Sequence, residues 1–312
     1  MSSILITGVA GFVGSHLADR LLAEGHRVIG VDNLLTGSED NLESSKKNKQ
    51  FYFLKHDITE PLTIPEKFDQ IYNMACPASP VHYQENLVKT IKTNILGAIN
   101  VLDFAIKNNA TILQASTSEI YGDPDVHPQV ESYRGNVNPV GPRACYDEGK
   151  RLAETLFFDY HRMYGVAIKV GRIFNTYGPR MSMADGRVVC NFIIQSLRNK
   201  PVTMYGTGEQ TRSFCYVTDL VDGLIKLMNS PKTVQGPINL GNPEERTVKN
   251  LAEIIIKLTK SKSKLAYSPI PEDDPRRRCP DITKAQQELG WNAQVTMREG
   301  LERTIAFFRD LV

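Results

Sequence analysis

Between Ile4 and Ile173 short apolar, β-branched runs alternate with longer amphipathic stretches. That rhythm is the signature of strands laid parallel by helical crossovers. It predicts strands at Ile4–Thr7, Arg27–Val31, Phe51–Lys55, Gln70–Asn73, Thr111–Ala115 and Ala167–Arg172, with helices near Phe12–Glu24, Leu87–Asn108 and Tyr146–Tyr164. The expected fold class is α/β, a doubly wound parallel sheet. After Asn175 the rhythm breaks, and Gly and Pro clusters at Tyr177–Arg180, Tyr205–Glu209 and Ile270–Pro280 separate shorter helical segments. Residues 1–174 are therefore expected to form mainly the doubly wound domain. Residues 175–312 are expected to form mainly a smaller, interleaved substrate-binding part, with some return to the first domain.

A chain of 312 residues, 41% hydrophobic and 23% charged, has room for a large buried core. Its 37 basic and 35 acidic residues leave a net charge of only +2, without the one-sided excess that marks nucleic-acid or membrane binders. Small-molecule partners are favoured, with no nucleic acid and no membrane expected. The five cysteines are scattered, never in a C-x-x-C pair, and none of the six histidines has a metal-like partner nearby in sequence. Neither a disulfide framework nor a metal site is expected. No charged leader and no stretch of about 20 apolar residues precedes or interrupts the pattern, so a cytoplasmic location is expected.

The first strand runs into Gly8, Gly11 and Gly14 and then a helix, so backbone amides and a helix N-terminus can approach a pyrophosphate. The spacing is G-x-x-G-x-x-G, and taken alone it also fits an ordinary tight turn. Asp32, 18 residues past Gly14 at the end of the second strand, adds the carboxylate that accepts hydrogen bonds from adenosine ribose hydroxyls. It would repel a 2′-phosphate, which points to NAD rather than NADP and to a Rossmann domain. Asp57, in His56-Asp57-Ile58, either orients the adenine amino group or caps its own loop. Phe12, Val13, Asn33 and Ile58 complete the expected cofactor site.

Tyr146 and Lys150 are four apart in a helical segment, which stacks them on one face and lets the ammonium lower the phenol's pKa toward a phenolate base. Such pairs also arise by chance on many helices. This one gains weight from standing downstream of the nucleotide fold and of Ser116-Thr117-Ser118-Glu119, at a strand's carboxyl end, where sheets of this kind carry their chemistry.

With the three glycines, Asp32, Thr117-Ser118-Glu119 and the Tyr146/Lys150 pair on the page, the chain resembles the extended short-chain dehydrogenases. The resemblance implies a nucleotide-sugar substrate and tightly held NAD. Thr117 would support the sugar hydroxyl while Tyr146, aided by Lys150, takes its proton and carbon 4 gives up its hydride. Ser118 stands where dehydratases that expel a 6-hydroxyl carry an aspartate, and a 4-keto uronic acid needs no such acid because its carboxylate leaves as carbon dioxide. GDP-mannose dehydratases are also similar at this triad. Longer stretches, Met74–Asn94, Gly141–Leu156, Arg172–Met181 with Asp185–Val189, and Gly208–Leu224, resemble the UDP-glucuronate decarboxylases, or UDP-xylose synthases, and the likeness runs from Ile4 to Phe308.

That likeness implies further roles. Arg212 would face the uronate carboxylate with Glu119 across from it, the two holding the carboxylate out of the ring plane, and Glu119 would help deliver a proton to carbon 5. A surface or interdomain salt bridge is the alternative for Arg212. Arg278 would bind the diphosphate, while its neighbours Arg276 and Arg277, following Asp273 and Asp274, would meet solvent. Asn175 and Arg180 match diphosphate positions and Val188 and Tyr205 uracil positions, with Gln210 beside Arg212. Tyr83 would line the sugar pocket or simply pack.

The expected reaction is decarboxylation of UDP-glucuronate to UDP-xylose, with the hydride returned to carbon 4, by a homodimer. Rival readings are an oxidative decarboxylase that releases a 4-keto pentose and NADH, a nucleotide-sugar 4-epimerase or dehydratase, and a non-catalytic nucleotide-sugar-binding protein on the same fold.

Overall fold

The computed structural model of the chain describes residues 1–270 and 275–312. Asp273 and Asp274 lie outside the described residues. Six strands of the central sheet fall where the apolar runs place them: β1 (Ser3–Thr7), β2 (Arg27–Asp32), β3 (Phe51–Lys55), β4 (Gln70–Asn73), β5 (Thr111–Thr117) and β6 (Ile168–Ile173). A seventh, Ile238–Leu240, pairs with β6, and the order across the sheet is Ile238–Leu240, β6, β5, β4, β1, β2, β3. Every pairing in it is parallel.

Successive side chains of a strand face opposite ways, and here both faces are covered. Ile4 and Ile6 of β1 join a core with Leu17 and Leu21 of helix α1 (Phe12–Ala23) and with Leu220 and Leu224 of the helix Val217–Asn229. Leu5 points the other way, into a second core with Ile71, Leu102 and Phe157. This double burial explains why the strands read as continuous apolar runs rather than as an alternation. The order of connections reverses between β1 and β4, and a crevice opens there at the strands' carboxyl ends, the usual ligand position of such sheets.

Two departures from the sequence reading have physical causes. The expected helix Leu87–Asn108 is interrupted by a π-helical turn at Thr93–Gly97. There Thr93 Oγ1 donates to Lys89 O (2.9 Å) and Asn94 Nδ2 to Thr90 O (3.1 Å), so side chains compete for carbonyls that the helix would otherwise use. The seventh strand has only three residues and lies within the region that looked irregular. Beyond β6, the strand Thr211–Ser213 lies between Glu245–Thr247 and Arg277–Arg278, and Val202–Tyr205 pairs with Leu265–Ser268. Residues of both small sheets line the crevice.

Candidate active site

The crevice is a cleft of about 1140 Å³, long enough to run from the glycine turn to the small sheets. Every residue singled out from the sequence lines it except Tyr83.

At one end, β1 stops at Thr7 and Gly8 takes a left-handed φ of +69°. Gly11 caps α1 without a side-chain hydrogen bond, so no side chain occupies the first-turn amides. A Cβ on Gly14 would stand 2.2 Å from Gly8 O, which keeps helix and turn in direct contact. Asp32 Oδ2 accepts from Ala10 N (2.9 Å) and Oδ1 from Leu34 N (2.8 Å). The carboxylate thus braces the turn and keeps a lone pair on each oxygen for a further donor. Burial raises its pKa, and those backbone hydrogen bonds oppose the rise. A bare glycine cradle beside a buried carboxylate fits the pyrophosphate and ribose of a dinucleotide.

Asp57 lines the cleft and caps its own loop. Its carboxylate accepts from Thr59 N (3.0 Å), Thr59 Oγ1 (2.7 Å), Asn33 Nδ2 (2.9 Å) and Lys89 Nζ (2.6 Å). Burial alone would raise its pKa, but Lys89 and these donors hold it well below the usual carboxylate range. Four donors fill its acceptor positions, so the geometry is that of the loop cap, and an adenine amino group would have to displace one of them.

In the middle of the cleft, the helix Ala144–Tyr164 brings Tyr146 and Lys150 to the end of β5. Both are buried, and Lys150 Nζ donates to Ala115 O (2.9 Å) and lies 5.8 Å from the Tyr146 ring centroid. Burial pushes the Tyr146 phenol well above its ordinary pKa, and Thr117's hydrogen bond pulls it down. Burial also lowers the pKa of Lys150. The phenol is thus raised by desolvation rather than lowered as expected. Tyr83, expected as a sugar contact, lies behind Tyr146, 1% exposed, with ring centroids 4.9 Å apart and planes at 5°. The packing alternative holds for it.

Beyond Thr117, which accepts from Glu119 N (3.2 Å), the chain makes a short turn that presents Glu119. Its carboxylate accepts from Arg143 Nη2 (2.6 Å) and from both terminal nitrogens of Arg278, Nη2 at 2.8 Å. Burial would raise Glu119's pKa, but the two guanidiniums hold it at about 2. Arg212 lines the same cleft as Glu119. It donates to Thr211 O (2.8 Å), Pro275 O (2.5 Å) and Arg276 O (3.3 Å), and stands beside Arg278 in strand register. Its position in an inner strand of the small sheet turns its guanidinium onto the chain leading to Arg278. Arg276 is exposed, as expected, and pairs with Asp123.

The diphosphate candidates Asn175 and Arg180 and the uracil candidates Val188, Tyr205 and Gln210 line the far half. Arg180 has φ +66° and donates to Asp19 on α1 (2.6 Å), and Gln210 Nε2 donates to Tyr205 O (2.8 Å). Sequence reasoning passed over Arg143 and over Arg187, which is locked to Asp185 and also lines the cleft. Arg143 had a signal, an arginine three residues before the tyrosine.

A family profile described as GDP-mannose 4,6 dehydratase matches residues 5–304. UDP-glucuronic acid decarboxylase 6 of Arabidopsis thaliana is 56% identical over 299 residues, 96% of this chain and 86% of that one. UDP-glucuronic acid decarboxylase 1 of Danio rerio is 54% identical over 305 residues, covering 98% and 72%. Among solved structures, UDP-glucuronic acid 4-epimerase from Bacillus cereus, in complex with UDP-glucuronic acid and NAD, superposes with a TM-score of 0.88 at 26% identity, covering 99% of this chain and 100% of that one.

Proposed function

The chain belongs to the UDP-glucuronic acid decarboxylases, a branch of the extended short-chain dehydrogenases, and from that premise we propose that it converts UDP-glucuronate to UDP-xylose in one closed cycle. Carbon 4 is oxidised, the carboxyl group leaves as carbon dioxide, carbon 5 is protonated and carbon 4 is reduced again. The observation that carries this reading is the joining, in one cleft, of a Tyr/Lys couple with an arginine-held carboxylate. The first oxidises a sugar hydroxyl, and the guanidiniums around Glu119 recognise a sugar acid.

Tyr146 takes the proton of the 4-hydroxyl, Thr117 holds that hydroxyl in line, and Lys150, anchored on Ala115 O, supplies positive charge to the phenolate. Gly8, Gly11, Gly14 and Asp32 would hold NAD, which would supply the reversible hydride acceptor for carbon 4. Asp32 receives the ribose hydroxyls and repels a 2′-phosphate, which selects NAD over NADP. Once carbon 4 is a ketone, the carboxylate is β to it and leaves as carbon dioxide, with the electron pair passing to an enolate. We assign the carboxylate contact to Arg278, which lines the cleft beside Glu119 with a buried Nε that has no hydrogen-bond partner, while Arg212, also in the cleft, donates to three backbone carbonyls. Glu119, held ionised, does not act as the acid itself but orients a water that gives its proton to carbon 5, and the hydroxide left behind takes a proton from solvent.

Exposed Leu87, Val88 and Ile91 on the helix Leu87–Lys92, with Leu152 on the Tyr146 helix, form an apolar face that supports a homodimer. Sedimentation at micromolar concentration checks it: a dimer is expected, and a monomer alone would contradict it. No helix among the described residues is long and apolar enough to cross a membrane. Five free cysteines fit a reducing, cytoplasmic setting.

The test of the reaction is incubation with UDP-glucuronate and a trace of NAD, followed by mass spectrometry and sugar NMR. UDP-xylose without net NADH absorbance is expected. An unchanged mass with inverted carbon 4 would make the enzyme an epimerase, and accumulating NADH would mean release of the keto-pentose.

A further inference from the structure

We propose that Arg143 is the residue that lets this pocket accept a negatively charged sugar: it shares the charge of Glu119 with Arg278, whose buried Nε has no hydrogen-bond partner, so that Arg278 can also meet the substrate's carboxylate. The inference rests on the decarboxylase reading and adds a residue to which that reading gives no part.

Arg143 directly precedes the helix Ala144–Tyr164, and its carbonyl accepts from Tyr146 N (3.0 Å) and Asp147 N (3.1 Å). Its backbone is therefore fixed to the turn that carries the general base. Its side chain reaches back to the Glu119 turn at the end of β5, where Nη2 meets the carboxylate at 2.6 Å. The side chains of Arg143, Glu119 and Arg278 are 11%, 15% and 4% exposed. Solvent screens charges so placed only weakly, and their count decides what can enter.

Arg143 faces Glu119, Asp147 and Tyr83, and Glu119 faces Arg143 and Arg278, with the Tyr146 phenol close by. When a uronate enters, three carboxylates (Glu119, Asp147 and its own) share the guanidiniums of Arg143, Arg278 and, beside Arg278 in register, Arg212. Without Arg143 one of these positive charges is lost from beside Glu119. The pocket would then respond in one of two ways, by rejecting the uronate or by protonating Glu119 to admit it. The second response has a signature that loss of packing lacks, since binding becomes linked to a proton. Arg143 touches Glu119 rather than the reacting atoms, so it is a positioning residue.

The experiment compares wild type, Arg143→Gln and Arg143→Lys between pH 6 and 9. It measures KM and kcat for UDP-glucuronate and the inhibition constant of UDP-glucose, the same nucleotide on a neutral sugar. Losing a charge-assisted contact should weaken UDP-glucuronate in Arg143→Gln by at least about tenfold, while UDP-glucose stays within about twofold. The loss should deepen as pH rises and Glu119 ionises, whereas wild type shows no such trend because its Glu119 is already ionised. Arg143→Lys keeps the charge and should hold the preference for UDP-glucuronate within about threefold of wild type. Equal losses for both sugars, or a loss independent of pH, would overturn the proposal. Should the glutamine variant fail to fold, the lysine variant reads the same preference, and its disappearance with the charge retained would overturn it. A wild type that makes no UDP-xylose would instead overturn the decarboxylase reading.

Discussion

Replacing Glu119 with glutamine isolates the charge arrangement on which the site depends. In the wild type the carboxylate takes three hydrogen bonds from Arg143 and Arg278. Arg143 also faces Asp147, but Arg278, 4% exposed, would lose its carboxylate partner. Breaking one side of a buried ion pair costs about 3–5 kcal/mol, and because glutamine keeps one acceptor oxygen the lower end applies, ~3 kcal/mol. At roughly 2 °C per kcal/mol for a chain of this size, the melting temperature should fall by about 6 °C. The pH dependence has a fixed sign. Glu119's pKa is depressed to about 2, so its contribution is full above the unfolded carboxylate value of ~4.3 and fades as pH falls through about 2. The gap between variant and wild type should therefore close in acid. UDP-glucuronate returns a carboxylate to the vacated guanidinium, so it should raise the variant's melting temperature more than the wild type's, while UDP-glucose should not. Turnover should drop by about 100-fold, since the water serving carbon 5 loses its acceptor. Thermal-shift scans with saturating NAD, with and without each sugar nucleotide, make the measurement. An unchanged melting temperature without substrate, or equal rescue by both sugars, would refute the reasoning.

Three further outcomes are expected. Tyr146→Phe should lower kcat by at least about 100-fold and leave the amount of co-purifying NAD unchanged, read from turnover and from NAD released on denaturation. Gly14→Ala places a methyl 2.2 Å from Gly8 O, so the turn must open and NAD affinity by calorimetry should fall by at least about tenfold. Thr117→Val removes the hydrogen bond that lowers the Tyr146 pKa; the base form is the active one, so the acid limb of the kcat/KM profile should move to higher pH.

Local signals carried most of the fold. Strands such as Ile4–Thr7 and Gln70–Asn73 are apolar runs between turn residues, and burial on both faces makes them legible without neighbours. Ile238–Leu240 was not legible, because three residues inside a Gly- and Pro-rich stretch show no period; they become a strand only by pairing with β6. The cradle could be read for the same reason as the strands, since Gly8, Gly11, Gly14 and Asp32 act within one β-α-β unit. The carboxylate grip could not. Glu119 and Arg278 are 159 residues apart, and which guanidinium bonds Glu119 depends on how the small sheet packs against the end of β5. Asp57 shows a related limit, for its motif suggested a cofactor contact while Lys89, from a separate helix, already occupies its carboxylate.

The central claim is a closed cycle in which carbon 4 is oxidised and then reduced by the same hydrogen. UDP-glucuronate deuterated at carbon 4 tests it most directly, with NAD present in trace and excess unlabelled NADH added as a trap. The account requires UDP-xylose that keeps the deuterium at carbon 4. UDP-xylose with protium at that carbon, or deuterium appearing in free NADH, would contradict it.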